Sequence, residues 1–492
     1  MISMRSTYLF LALTAVSAIA IEGHDPTPRF LRPDFSIEEE RVTWPADLID
    51  FFKLPFIEYL RQDTTRWEFA SALSLNSSKE ADGSAFLSME GFIAELSGRQ
   101  SYFGDGPVRK MFRTAQGWGG YAGLIEKRYP YAVKADGRYS AFRGEYQPST
   151  YQFTAGAEGY IPIGNSLLSL NFAGTRESWA QNIGAFPRTQ PTDRPRAEIS
   201  NSVAGEAAFR SMPGEFTGFE VFAKGETSTR YEPDRWQLLR TVMSGGGNLI
   251  YDSRWLRLAL GAGVHRTWRG TAISPKMNFE VIWGDFAAFA TVEGYTKPIE
   301  RYETIATPRA TLPPNAEFME VPIAVTAGGM IEIIAGQTLS ARAKYLRAEN
   351  KPVIWNPKAE APTVSLEAAT HQSFNVKLAS EFGILRNELS ITLQRDIALE
   401  RHIPTEPEEI FADTVSLQLS DLRVFAGGYR RMGQPYRGKM QETNVGLGAS
   451  YRFGTTVLSA AVENILGEAI FDDIALEFYD DVKFSLNVSL DF

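Results

Sequence analysis

The last residues of the chain alternate without a break. Val482, Phe484, Leu486, Val488, Leu490 and Phe492 fall on one face, while Lys483, Ser485, Asn487, Ser489 and Asp491 fall on the other. A period of two marks a strand with one apolar and one polar side, and about 9–11 residues tilted near 45° is the length that crosses a bilayer. The pattern recurs far upstream. Val445, Leu447, Ala449, Tyr451 and Phe453 oppose Asn444, Gly446, Gly448, Ser450 and Arg452. Leu339, Ala341, Ala343 and Tyr345 oppose Ser340, Arg342 and Lys344; Leu256, Leu258, Leu260, Ala262 and Val264 oppose Arg257, Gly261, Gly263 and His265. Phe374, Val376, Leu378 and Phe382 oppose Asn375, Lys377 and Glu381, and Phe153, Ala155 and Ala157 oppose Gln152, Thr154 and Glu158. A chain patterned this way must fold as sheet.

The connections alternate as well. Short turns are expected at Asp136-Gly137, Asp252-Ser253, Gly284-Asp285, Ser420-Asp421 and Gly454-Thr455, with a further one at Met89–Phe92. Longer polar loops are expected over 179–196, 297–317, 349–370 and 467–481. Short periplasmic turns and long outer loops characterise a membrane barrel. A soluble propeller would need a blade repeat of about 40–50 residues, which is absent, and sandwich strands average about 5–6 residues, shorter than these. The expectation is therefore all-β: a transmembrane antiparallel up-and-down β-barrel of about 20–22 strands over residues 66–492. Trp67, Trp118, Trp268, Trp283, Tyr451, Phe453 and Phe492 suit its interfacial girdles.

One polar face per strand accounts for a mean hydropathy of only −0.20. The 492 residues include no Cys, which excludes disulfides, thiolate metal sites and cysteine nucleophiles. A net charge of −9 argues against a nucleic-acid binder. Met1–Ala20 reads as an export signal, with Arg5, an apolar run from Tyr8 to Val16 and the small-x-small site Ala18-Ile19-Ala20. An uncleaved N-terminal anchor is the alternative. Residues 21–65 carry Pro26, Pro28 and Pro33, the acidic run Glu38–Glu40 and an apolar stretch broken by Pro55. They are expected to form a short periplasmic segment: a small helix pair, a plug for a lumen, or a simple tethered leader.

An alternating last strand ending in Phe492 resembles the outer-membrane barrels of Gram-negative bacteria, whose assembly machinery reads such a strand as its signal. The final strands more narrowly resemble TonB-dependent outer-membrane receptors. The carrying residues are Gly448–Phe453, a tight turn, the strand Thr456–Leu466, the acidic pair Asp472-Asp473 and the closing strand. Val462, Asn464 and Ile465 match that family's patch on the penultimate strand. The resemblance implies a 22-stranded barrel in the outer-membrane lipid that takes up a scarce solute with energy from the inner-membrane TonB complex. The family's folded plug is much longer than residues 21–65, and Glu39–Trp44 matches its TonB-contacting box only loosely, so the TonB partnership rests on the resemblance alone.

No catalytic or cofactor constellation emerges. His24, His265, His371 and His402 lack metal-ligand spacing; His265 is expected in the lumen and the others in the leader or loops. Gly433–Lys439 fits G-x-x-x-x-G-K, but Met440 stands where Ser or Thr should meet Mg²⁺ and no helix follows. No enzyme activity, metal or cofactor is expected. Candidate lumen residues are Glu158, Glu220, Lys224, Arg257, Arg342, Lys344, Lys377, Glu381 and Arg452, with Glu68, Glu226 and Lys483 on the same faces; their signs alternate. Three functions stay open: a barrel passing an unknown solute, a structural or partner-binding barrel, and an exported soluble β-protein.

Overall fold

The computed structural model describes residues 68–491 except 77–80, 90–91, 104–109, 126–128, 144–145, 165, 184–195, 232–237, 300–312, 314–315, 356–363, 400, 404–407, 434–439, 473–476 and 480–481. The strands run in chain order as β1 (Glu68–Asn76), β2 (Ala81–Met89), β3 (Phe92–Phe103), β4 (Lys110–Ile125), β5 (Tyr129–Arg143), β6 (Tyr146–Ile163), β7 (Ser166–Ile183) and β8 (Arg196–Ser211). Then come β9 (Thr217–Tyr231), β10 (Leu238–Asp252), β11 (Leu256–Thr267), β12 (Gly270–Trp283), β13 (Phe286–Pro298), β14 (Phe318–Ile334), β15 (Gln337–Ile354), β16 (Val364–Phe382) and β17 (Leu385–Ala398). The remainder are β18 (Arg401–His402), β19 (Glu409–Leu419), β20 (Leu422–Gly433), β21 (Met440–Phe453), β22 (Thr456–Glu463), β23 (Ile470–Asp472), β24 (Glu477–Tyr479) and β25 (Lys483–Asp491).

Each long strand pairs antiparallel with its predecessor, and β1 pairs with β25 from Ala70↔Asp491 to Asn76↔Ser485. Among the described residues the sheet has 23 strands; without β18, a two-residue branch on β17, it is a closed ring of 22. Closure satisfies the edge groups that lipid would otherwise strand. β23 and β24 form a separate small hairpin. The first strands reach the upper end of the expected count because β2 and β3 pair right up to Met89↔Phe92.

Alternation decides the faces. Leu249, Leu260, Val264, Ile273, Phe374, Ile391, Leu447, Phe484 and Leu486 stand exposed on the outer surface. Trp283 and Trp268 are exposed at opposite rims, as girdle positions should be. Trp118 departs from that expectation. It turns inward, where its Nε1 donates to Glu95 Oε2 (3.0 Å) and Lys134 Nζ lies 5.5 Å from the ring centroid. Val445 is buried where the chain beyond β22 returns along β21 and the Ile465 amide donates to its carbonyl. Trp67 and Phe492 lie outside the described residues.

At the short-turn rim the tight reversals use left-handed residues: Gly164, Gly284, Gly336, Gly383 and Gly454 near φ +59° to +82°, and Ser420 at +54°. Asp136-Gly137 makes no turn. Both sit mid-strand in β5, paired with Trp118 and Gly117 on one side and Thr154 and Phe153 on the other. A local Asp-Gly signal loses there to two complete ladders. The loops expected over 179–196 and 349–370 are shorter, because β7 runs to Ile183 and β15 to Ile354, with β16 starting at Val364. β16 has 19 residues, well beyond the bilayer requirement of about 9–11, so its upper part is wet on both faces and loses the apolar signature.

Three inward phenylalanines lie flat on a glycine of the next strand: Phe222 on Gly246, Phe289 on Gly328 and Phe425 on Gly448. A Cβ on Gly448 would fall 2.6 Å from Phe425 Cζ and 2.6 Å from the Ala460 carbonyl. Phe425 and Ala461 form a small buried cluster there. Overpacking of this kind costs about 1–3 kcal/mol. Gly448→Val should therefore lower the temperature at which the folded band is lost on unheated gels, and Ala449→Val, on the outer face, should not.

Candidate functional site in the barrel lumen

The inward faces of β8 to β12 bring six polar side chains together near the short-turn rim. Arg257 Nε reaches Asp252 Oδ1 at 3.2 Å and its Nη1 reaches Glu280 Oε2 at 3.5 Å. Arg210 Nη2 lies 3.8 Å from the other Asp252 oxygen, and Asn248 Nδ2 donates to Glu220 Oε1 at 2.9 Å. Asp252 is buried, with both arginines gathered around its carboxylate.

One level higher, Lys224 pairs with Glu226 (3.4 Å), and Lys276 Nζ stands 3.6 Å from the centroid of Phe222. His265 is buried in the lumen wall. Its Nδ1 shares a hydrogen bond with Ser244 Oγ (2.9 Å), and its Nε2 lies 2.8 Å from Ser274 Oγ and 3.1 Å from the Gly294 carbonyl. Both ring nitrogens are thus occupied by neutral partners, which suits a structural histidine.

The other wall sector is built on β14 to β17. Lys377 Nζ pairs with Glu388 Oε2 at 3.0 Å. His371, expected in a loop, lies in β16, where Nδ1 meets Asp396 at 2.8 Å and Lys351 joins the same carboxylate at 3.6 Å. The ladder of β16 extends through the end of the stretch expected as loop 349–370 and takes His371 with it. Arg342 and Lys344 stand exposed on the inward face of β15, and Glu381 closes the inward row of β16 beside its turn. Glu158 accepts from Tyr160 (3.1 Å) on β6, while Arg452 sits at the rim, its amide donating to the Asp421 carbonyl. Lys483 is buried on the inner side of β25, opposite Glu463. Glu68 opens β1, and His402 belongs to β18. His24 and residues 434–439 of the glycine-lysine stretch lie outside the described residues.

The main feature that sequence reasoning missed lies near the long-loop rim. Register shifts mark bulges at Glu293/Tyr295 in the β13–β14 pair and at Glu320/Ile323 in the β14–β15 pair, and β13 contacts β9 and β10, which are not its neighbours in the ring. Two inward arginines receive it. Arg230 Nη2 donates to the Pro313 carbonyl (2.8 Å) and its Nη1 to the Ala316 carbonyl (3.4 Å), with Glu198 3.5 Å from Nε. Arg240, fully buried, donates to the Ile299 carbonyl and to Ser200 Oγ (3.0 Å). Arg269 secures the far side through Glu317 at 2.7 Å. Ile299 and Ala316 then pack with Met319, Ile354, Val364 and Leu366. The stem of the β13–β14 connection is therefore clasped inside the barrel mouth. Arg230 and Arg240 have the right parity for the lumen, but nothing local distinguishes them from hydrated wall residues.

Among the described residues no group of three or more His, Asp or Glu side chains forms a metal cluster. By sequence the chain matches no protein-family profile and none of the curated proteins. Its fold, however, is that of several solved receptors. It superimposes on the siderophore receptor PirA from Acinetobacter baumannii with a TM-score of 0.63 at 10% identity, covering 87% of this chain and 80% of that one. For the copper transporter OprC the values are 0.62, 11%, 87% and 80%. For the FrpB iron transporter from Neisseria meningitidis they are 0.64, 9%, 89% and 83%. The barrel fold implied by the C-terminal strands, that of TonB-dependent outer-membrane receptors, is the fold the chain has.

Proposed function

We propose that the protein is an outer-membrane transport barrel, related in design to TonB-dependent receptors, that passes a small scarce solute through its lumen. The observation that carries this reading is the closed ring of strands whose outer face is apolar while its inner face holds hydrated and paired charges. On this reading the lumen runs across the bilayer with the short turns toward the periplasm, as in outer-membrane barrels generally. The solved structures of like fold bear the names of siderophore, copper and iron receptors or transporters, which supports a solute of that scarcity and size. On this reading Met1–Ala20 directs export, the β1–β25 seam is closed by the barrel assembly machinery, and Phe492 ends its recognition strand. Residues 21–65 are the segment through which an inner-membrane TonB complex would act.

The test is single-channel recording of the refolded full chain in a planar bilayer. Discrete openings are expected, because exposed charged side chains such as Lys224, Arg342 and Lys344 line the inner wall. A heat-modifiable, correctly inserted barrel that never opens would overturn passage and favour the partner-binding role.

A further inference from the structure

Most of the inward charges already placed have a partner. Arg257, Arg210, Lys224, Lys377, Lys351 and Arg230 each face a carboxylate within 4 Å. Arg342 and Lys344 break the pattern. They sit two residues apart on the inward face of β15, exposed, and no carboxylate of the described residues lies within ion-pair distance of either. Strand geometry sets their Cα atoms roughly 6–7 Å apart. Two like charges at that spacing repel, and the arrangement becomes favourable when an anion bridges them.

The surroundings suit such a guest. Arg342 lies between Gly328 of β14 and Asn375 of β16, and Lys344 lies between Thr326 and Ser373. The floor on the β14 side is therefore low: Ala324, Thr326 and Gly328, with Phe289 laid flat against Gly328, where a Cβ would come within 2.9 Å of its ring. On the β16 side, Asn375 is held by Nδ2 donating to Thr392 Oγ1 (2.7 Å), and the Ser373 hydroxyl adds a neutral donor. Guanidinium and ammonium side by side above a shallow basin provide planar bidentate and point-charge recognition of oxygen anions. Arg and Lys lining a pore are the means by which anion and phosphate channels select.

We propose that Arg342 and Lys344 form a binding station for an oxyanion group, phosphoryl or carboxylate, on the transported solute. The biological sense of the station rests on the transport reading, but its chemistry does not. The experiment is equilibrium dialysis of the refolded full chain against radiolabelled inorganic phosphate and, separately, succinate. Saturable, salt-sensitive binding of at least one anion is expected. It should weaken at least tenfold in the Arg342→Gln/Lys344→Gln double variant and persist in Arg342→Lys. Arg347→Gln, on the outer face of the same strand, should bind as the parent does. Each variant is first checked for heat-modifiable migration. Absence of saturable binding to the parent, or equal binding by the double variant, would overturn the station. A chain that binds anions and never conducts would retain the station and lose the transport reading.

Discussion

Leu260→Arg is expected to abolish recovery of folded, heat-modifiable protein, while Asn278→Arg, one strand away, is expected to fold nearly as well as the parent. Leu260 lies on the outer face of β11, between Leu249 of β10 and Met277 of β12, and Leu249 is 73% exposed. With the outer face in lipid, that exposure is contact with acyl chains. An arginine there costs roughly 2–4 kcal/mol at the bilayer midplane, a large part of a marginal folding free energy. Asn278 has the opposite parity, paired with Ala259 and Thr291 on the inward wall, and it is exposed to the lumen. An arginine at that site meets water and the neighbouring Glu280. The pair of variants reads the face assignment directly, because both add the same residue at nearly the same height. If the two folded equally well, the outer surface of β11 would not face lipid, and the soluble β-protein would become the better description.

The fold is legible because burial in a membrane barrel is decided residue by residue with period two, so the pattern survives even where total hydropathy is low. In the clearest segments, such as Leu256–Val264 and Lys483–Asp491, alternation alone assigns every side chain to a face. The signal fails where the two solvents on either side of the strand are the same. Above the bilayer both faces of β7 and β15 are wet, so their upper ends read as loops. Trp118 shows the other limit: a residue type suited to an interface is equally suited to packing over Lys134 and Glu95 inside the wall. Pairing within the lumen is not legible at all. Asp252 meets Arg210 and Arg257 only because β8–β9, β9–β10 and β10–β11 pair in one particular register, and that register is set by whole ladders that no local run of sequence spells out. The clasp by Arg230 and Arg240 is the extreme case, joining residues 83 and 59 positions apart across the barrel mouth.

That clasp yields the second large effect. Arg240→Met should release the stem of the β13–β14 connection and raise the fraction of time the barrel spends in a high-conductance state. Arg240 is fully buried and ties the Ile299 carbonyl to Ser200 on β8, two strands away in the same wall. Methionine fills much of the same volume but offers no donor, so the Ile299 carbonyl loses its partner inside the mouth. An orphaned buried acceptor costs about 1–3 kcal/mol, which corresponds to roughly a 5–150-fold shift in the ratio of clasped to released stem. Water can satisfy that carbonyl once the stem swings away, so the penalty falls on the clasped state. Arg230 is the less clean target, since removing it also breaks the ion pair with the buried Glu198 and so perturbs the wall beside the stem. Ser200→Ala should have a smaller effect of the same sign, because it removes one of Arg240's acceptors and leaves the bond to Ile299 in place. Limited proteolysis gives an independent reading: residues 299–317 should be cut sooner in Arg240→Met than in the parent. If both conductance and cleavage rate stayed at parental values, the arginines would serve only to stiffen the wall, and the width of the mouth would have to be set elsewhere.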